Sequence, residues 1–354
     1  MGVPLALVVI VLVSYVIASA CNAFSQSAAY LGRSMGEGVK GGLINAVGSS
    51  MPEMMTASAL LLLLKDEGGF AAGISVTVGS AIVNAVVIPL LCLLAVRWRG
   101  IDGRAITCFT ISKKALRRDG LWLLLSQLVL LFLLITRQQF AWWAGALLLV
   151  VYGGYLLHLL RGSSATVDSY EFTPLGSSSF FAALVQIDLN RLLFADRPLT
   201  ARSAWINLLL TTAVIGVACH FLSVAVVSIA TELGISVTLS ALLFAAAATS
   251  VPDAVLSVKD AINGGYDDAL ANALGSNTFD VTVALGLPLM LYGLVAGPVQ
   301  MPAGHNVLVL QGLSLAATVV VLALFYCPKK IDGRTVVGLV ALLLAWIGYT
   351  VSIF

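Results

Sequence analysis

Charge is what this sequence has least of. Of its 354 residues only 10% are Asp, Glu, Lys or Arg, while 60% are hydrophobic. Soluble domains carry roughly 25% charged residues, so almost all of this chain belongs in a bilayer. Cysteine is sparse and odd in number. Cys21, Cys92, Cys108, Cys219 and Cys327 lie far apart, with no C-x-x-C and no Cys/His cluster. A disulfide framework and a zinc site are therefore not expected, and the five are read as packing residues. No phosphate-binding glycine loop and no soluble nucleotide domain is visible, and nothing points to a nucleic-acid partner. The short alternating segments of a β-barrel are missing. The first apolar run starts at Met1 without a basic leader, which favours a retained transmembrane helix over a cleaved signal.

Long apolar runs are what the chain does have. A span needs about 20 apolar residues at 1.5 Å rise each. That rule gives ten, at 3–25, 40–64, 71–96, 120–136, 140–160, 204–230, 236–260, 267–293, 305–326 and 334–353. The expected fold class is an all-α integral membrane protein of ten transmembrane helices. The longest polar stretch, 161–203, is too short for an ordinary folded domain. It reads as a cytoplasmic linker, with a short surface helix over 180–194.

Basic residues set the orientation. The connection 97–119 holds Arg97, Arg99, Arg104, Lys113, Lys114, Arg117 and Arg118. With that segment in the cytoplasm, alternation leaves only Lys65 and Arg137, of 19 basic residues, outside. One span more or fewer would scramble this sorting. Both termini are then expected outside, in a plasma or bacterial inner membrane with lipid as the surrounding partner.

Two stretches repeat. Val47-Gly48-Ser49-Ser50-Met51-Pro52-Glu53 lies in the second span and Ala247-Ala248-Thr249-Ser250-Val251-Pro252-Asp253 in the seventh. Each is followed by a span carrying Gly-Ser and then a polar residue: Gly79-Ser80 with Asn84, and Gly275-Ser276 with Asp280. The two copies cross the membrane in opposite senses, an inverted-topology repeat that places a site at the midplane. The expected organisation is a first five-helix half, 1–160, with its repeat at about 40–96, and a second half, 204–354, with its repeat at about 236–293.

Glu53, Asp253 and Asp280 are the acids expected deep in spans, with no Lys or Arg at comparable depth. A charge at the bilayer centre costs at least about 2.5 kcal/mol, so three unpaired acids imply protonation or bound cations. Pro52 and Pro252 each free a helical carbonyl one turn before an acid. Carbonyls, hydroxyls and carboxylates together suit a hard cation such as calcium, which takes six to eight oxygens at about 2.3–2.6 Å. Ser80 and Asn84, like Ser276 and Asp280, are four apart and share a helix face. His158 and His220 are read as hydrogen-bonded structural residues. Lys259, Asp260, Asp267 and Asp268 are read as solvated charges flanking a loop.

With these residues the sequence resembles the calcium/cation antiporter superfamily, the sodium/calcium exchangers and their relatives. That group carries two inverted repeats with G-[ST]-S-x-P-[ED] followed by G-S-N-x-x-[ND]. The resemblance implies that Glu53 and Asp253 are paired central carboxylates. It implies oxygen ligands at Ser49, Ser50, Thr249 and Ser250, with Ser80, Asn84, Ser276 and Asp280 completing the site. The carbonyls of Ala46 and Ala246 are implied as outer sodium ligands, and spans 1 and 6 as the sliding elements of alternating access. Aspartate after Pro252 and the run Gly275-Ser276-Asn277-Thr278-Phe279-Asp280 look like potassium-dependent exchangers, where an acid at Asp280 goes with potassium use. Prokaryotic relatives also carry this acid.

This sequence departs from the family in several ways. The first repeat has Ser75-Val76-Thr77-Val78 where a Gly-Asn is usual before Gly79, and the second has Ala271-Asn272. Ala248 replaces the usual glycine. Glu53 and Asn84 are 31 apart, against 27 for Asp253 and Asp280, and the extra four residues are expected in the loop around Lys65-Asp66-Glu67. The linker lacks the large regulatory calcium-binding domains of many animal exchangers. The function implied is secondary antiport, not enzyme catalysis and without a cofactor, with calcium and sodium as the ions and potassium as a further candidate. A proton/calcium antiporter is the alternative. An intramembrane aspartyl protease built on Asp253 and Asp280 is a remote one, since its Gly-x-Gly-Asp element is absent and it leaves Glu53 unexplained.

Overall fold

The structure is a computed structural model that describes residues 1–31, 46–65, 67–99, 111–162, 192, 200–300, 306–328 and 330–353. Most of the linker, its expected surface helix and Cys108 lie outside the described residues. Ten helical spans follow in order: α1 (Val3–Leu31), α2 (Ala46–Leu64), α3 (Glu67–Arg99), α4 (Lys113–Thr136), α5 (Trp142–Gly162), α6 (Ala201–Leu233), α7, α8 (Tyr266–Val295), α9 (Asn306–Tyr326) and α10 (Gly333–Ile353). The seventh is broken into α7a (Val237–Thr249) and α7b (Val251–Ile262), bent by 42°. Among the described residues, nine single helices are long and apolar enough to cross a membrane, and the bent pair makes a tenth. The all-α, ten-span fold is as expected.

Local chemistry fixes the ends. Thr200 caps α6 in a reciprocal capping box with Ser203, and Gly234 closes it at φ 67°, which only glycine adopts without strain. Ser236 accepts from the Leu239 N–H to start α7a. Pro252 sits in the first turn of α7b, where the amide it lacks would have no partner. The break falls at Ser250, two residues before Pro252, where the backbone has φ −79° and ψ −1°. Its repeat counterpart behaves differently: Pro52 lies inside a continuous α2.

The protein is built inside out. Large apolar side chains on the outer faces are exposed, for example Val11, Leu12, Val150 and Leu209, whereas Ser, Thr, Asn, Asp and Glu side chains are buried. Lipid rather than water suits that surface. Two apolar clusters divide the interior. One joins α1 and α6, which run along each other beside α2 and α7. The other draws on α3, α4, α5, α8, α9 and α10. Asn207 of α6 donates to Ser27 Oγ of α1 at 2.6 Å, tying that pair together. The loops after α4 and α8 pair as a two-residue ribbon, β1 (Gln139–Phe140) against β2 (Val299–Gln300), antiparallel.

The hairpins α2–α3 and α7b–α8 form the centre. Their length difference is not in a loop, contrary to expectation. Only positions 65–66 separate α2 from α3, against 263–265 between α7b and α8. The first hairpin instead has longer helices on both sides of its turn. Added residues that continue a helix satisfy their own backbone groups in lipid, whereas added loop would not.

Candidate cation site

The acids sit where α2, α3, α7 and α8 meet. Glu53, Asp253 and Asp280 are fully buried, and so are Ser49, Ser50, Ser80, Asn84, Thr249, Ser250 and Ser276. Close approach of the two repeats depends on Gly79. A Cβ there would lie 2.5 Å from both the Ala246 Cβ and the Leu242 carbonyl of α7a. Asn84 and Asp280 each fall in a π turn, Val83–Val87 in α3 and Asp280–Ala284 in α8. A π turn inserts a residue and re-aims the face that follows it.

Ser80 is the hub. Its Oγ lies 3.2 Å from Glu53 Oε1, 2.9 Å from Asp280 Oδ2 and 2.9 Å from Ser250 Oγ. Ser250 Oγ is also 3.4 Å from Glu53 Oε1. These contacts link oxygens only, and the two hydroxyls bring one proton each. Two protons cannot bridge four contacts, so with both acids ionised two contacts would set lone pair against lone pair. The cluster requires added positive charge, as protons or as a cation.

Asp253 stands in a different setting. Its Oδ1 accepts from Ser276 Oγ at 2.8 Å and its Oδ2 from Asn84 Nδ2 at 3.1 Å. Within each repeat the proline-linked acid meets the serine of the following helix: Glu53 with Ser80, Asp253 with Ser276. Across the repeats the symmetry fails. The counterpart of the Asn84–Asp253 bond would be Asp280 to Glu53, acid against acid, and Asp280 turns to Ser80 instead. The missing donor is the cause of the proton shortage.

Four further oxygens are buried without a hydrogen-bond partner: Glu53 Oε2, Asp280 Oδ1, Asn84 Oδ1 and Ser50 Oγ. An all-oxygen set of carboxylate, amide and hydroxyl fits a hard cation. Among the described residues no three His, Cys, Asp or Glu side chains are arranged to hold a metal ion by themselves, so any ion here would rest on the mixed set. The carbonyls of Ala246 and Ala46 are expected further out. Ala246 O accepts from the Ser250 N–H at 3.1 Å and the Thr249 hydroxyl at 3.3 Å, within its own helix. Ala46 begins α2.

A cavity of about 80 Å³ between α1 and α7b reaches Ser49 and Pro252 at one end and Lys259 at the other. Cys219 of α6 donates to the Pro52 carbonyl at 3.5 Å. Both contacts place the α1/α6 pair against the acidic cluster.

Several buried polar residues were not singled out as site residues by the sequence, among them Asn272, Asn277 and Asp119. Asn272 donates to Ser257 Oγ at 3.0 Å, and its spacing to Ser276 and Asp280, four and eight residues, was the available signal. Asn277 donates to the Ala81 carbonyl at 3.1 Å. Asp119 is a fourth buried acid, but Arg118 grips both its oxygens at 2.7 and 3.0 Å and the Tyr155 hydroxyl adds a 3.4 Å contact. His158 accepts from Trp122 Nε1 at 3.1 Å, as a structural histidine should. His220 is exposed on α6 beside Phe221. Cys21, Cys92 and Cys219 are buried free thiols and Cys327 is an exposed one.

Human sodium/potassium/calcium exchanger 1 is 36% identical over 99 residues, a match that spans 28% of this chain but 9% of that protein. Human sodium/potassium/calcium exchanger 5 is 25% identical over 423 aligned positions, covering 97% of this chain and 81% of that protein. The crystal structure of the H+/Ca2+ exchanger CAX has the same fold, with a TM-score of 0.71 at 15% identity over 97% of this chain and 80% of its own. So does the sodium-calcium exchanger NCX_Mj, with a TM-score of 0.61 at 18% identity over 98% of this chain and 99% of its own. The family model for the sodium/calcium exchanger protein matches residues 5–161 and 203–354. The chain belongs to the sodium/calcium exchanger family and is a multi-pass membrane protein.

Proposed function

We propose that this protein exchanges sodium for calcium by alternating access, with the mixed oxygen cluster at α2, α3, α7 and α8 as its ion site. The observation that carries this reading is the proton shortage around Ser80, where Glu53, Asp280 and Ser250 crowd one hydroxyl. A site of this kind is costly when empty, so movement is favoured with ions bound, which makes exchange obligatory. Glu53 and Asp253 are the paired carboxylates, with Ser49, Ser50, Thr249, Ser250, Ser80, Asn84, Ser276 and Asp280 supplying the remaining oxygens. The carbonyls of Ala46 and Ala246 serve a sodium ion further out. The halves 1–160 and 204–354, joined by the linker 161–203, each contribute one repeat to the site, and spans 1 and 6 slide over that core to switch access, with both termini outside the cytoplasm.

Potassium enters through Asp280. The relatives named above are sodium/potassium/calcium exchangers, and Asp280 stands where the other repeat has the amide of Asn84. A monovalent cation beside Asp280 supplies the positive charge that the missing donor does not. The second reading is proton/calcium antiport, favoured by the same shortage, because protons would repair it equally well. Purified protein in liposomes separates the two. Calcium uptake driven by a sodium gradient at constant pH supports the first reading, uptake driven by a pH gradient alone supports the second, and uptake under neither defeats both.

A further inference from the structure

A second cavity lies far from the acids, between the first turns of α4 and the last turns of α9. It measures about 310 Å³. Leu116, Gly120, Leu121 and Leu124 form one wall and Leu322 and Ala323 the other. The wall positions on α4 recur over two helical turns, about 12 Å along the axis. Leu121 is exposed, and so are Tyr326 and Cys327 at the end of α9. The groove therefore opens on the outer, lipid-facing surface.

Its two ends differ in chemistry. The deep end is apolar throughout. The other end holds Arg117, and the Lys113 ammonium sits 5.3 Å over the Tyr326 ring. Neither cation has a carboxylate partner: Arg118–Asp119 is the single ion pair among the described residues. Asp267, the acid nearest in hydrogen bonding to this helix start, is engaged by the Ser112 N–H at 2.6 Å. An apolar slot two turns long, with unpaired cations at one end and set in a membrane face, is complementary to an amphiphile with an anionic head.

We propose that the α4/α9 groove binds an anionic phospholipid, with an acyl chain along Leu121, Leu124 and Leu322 and its phosphate between Lys113 and Arg117. The site is separate from the ion cluster and stands whatever ions the protein exchanges. Charge complementarity selects the lipid over a second protein copy, whose apolar helix face would leave both cations unpaired.

Cys327 provides the readout, because it borders the groove. In a Cys108→Ser background, the full-length protein is placed in nanodiscs of phosphatidylcholine alone or with phosphatidylglycerol, and maleimide labelling of Cys327 is timed. Phosphatidylglycerol slows labelling, and native mass spectrometry shows that lipid retained in preference to phosphatidylcholine. Each basic residue near a bilayer contributes about a fivefold preference for anionic lipid, so Lys113→Gln with Arg117→Gln lowers phosphatidylglycerol affinity by roughly twenty-fivefold. Ala323→Phe fills the slot and abolishes the protection with both cations retained. Equal protection by the two lipids overturns the proposal. So does displacement by inorganic phosphate at the same concentration, which would make this a free-anion site, and so does a dimer cross-linked through Cys327, which would make the groove an interface.

Discussion

Asn277 donates its side-chain amide to the carbonyl of Ala81 at 3.1 Å, and these two residues hold equivalent positions in the inverted repeats. Each follows the serine of its Gly-Ser pair by one residue. The repeats thus touch each other directly behind the acidic cluster, through backbone on one side and side chain on the other. Asn277→Ala removes this buried hydrogen bond between the repeats, at a cost of about 0.5–1.5 kcal/mol. The expected result is a lower melting temperature in detergent, with the fold retained.

Asp280→Asn supplies the donor that the second repeat lacks. The new amide can donate to Ser80 Oγ, which Asp280 Oδ2 meets at 2.9 Å, and the proton shortage there is relieved. Calcium exchange in liposomes should persist in this variant while its stimulation by potassium disappears. An unchanged potassium response would remove Asp280 from that role.

Ser80→Ala takes away the hub. Glu53 and Asp280 then face each other across a gap with no hydroxyl between them. Apparent calcium affinity should fall about tenfold, the effect of losing roughly 1.5 kcal/mol of hydrogen bonding to charged groups. Flux measured against calcium concentration reads this directly. Ser126→Ala is the control, because that hydroxyl only returns to its own helix at Trp122 O.

Gly79→Ala and Gly153→Ala should move stability in opposite directions. The first forces a methyl within 2.5 Å of the Leu242 carbonyl and the Ala246 Cβ, an overpacking worth about 1–3 kcal/mol. Nothing lies within 4 Å of a Cβ built at Gly153, so there the helix gains about 0.5–1 kcal/mol from the glycine it loses. Thermal unfolding of the two purified variants gives the comparison.

Asp119 separates structural acids from working ones. Asp119→Ala removes the partner of Arg118, which is about a third exposed, and costs about 2 kcal/mol after solvent screening. Exchange per folded molecule should be unchanged. Glu53→Gln and Asp253→Asn should show the reverse: intact folding by size-exclusion and melting, and no calcium flux.

The ten spans were legible because lipid imposes one rule, an apolar run of fixed length, and Gly234, Ser236 and Thr200 mark ends by ordinary capping chemistry. The acids were legible because charge in an apolar run stands out. Asp119 was not, since it lies beside the start of its span and its neighbour Arg118 hid it among solvated charges. Asn277 was not, because a helix-face argument from Ser276 and Asp280 leaves it on another side. The unequal treatment of Pro52 and Pro252 could not be read from two prolines in matching positions. The break falls at Ser250, where the packing of α7a on α3 and of α7b on α8 sets the angle.

The first hairpin's extra residues lie in its helices. Between acid and turn, α2 runs two residues further than α7b, and between turn and Asn84, α3 runs three further than the matching part of α8. At 1.5 Å per residue these are about 3 and 4.5 Å of added reach. In the proposed alternating-access mechanism, two identical repeats would make the inward and outward forms equivalent by a two-fold rotation in the membrane plane, and so equal in energy. Unequal arms remove that degeneracy, so the proposed exchange mechanism predicts a preferred resting side and an ion affinity that differs at the two membrane faces before any voltage or gradient acts.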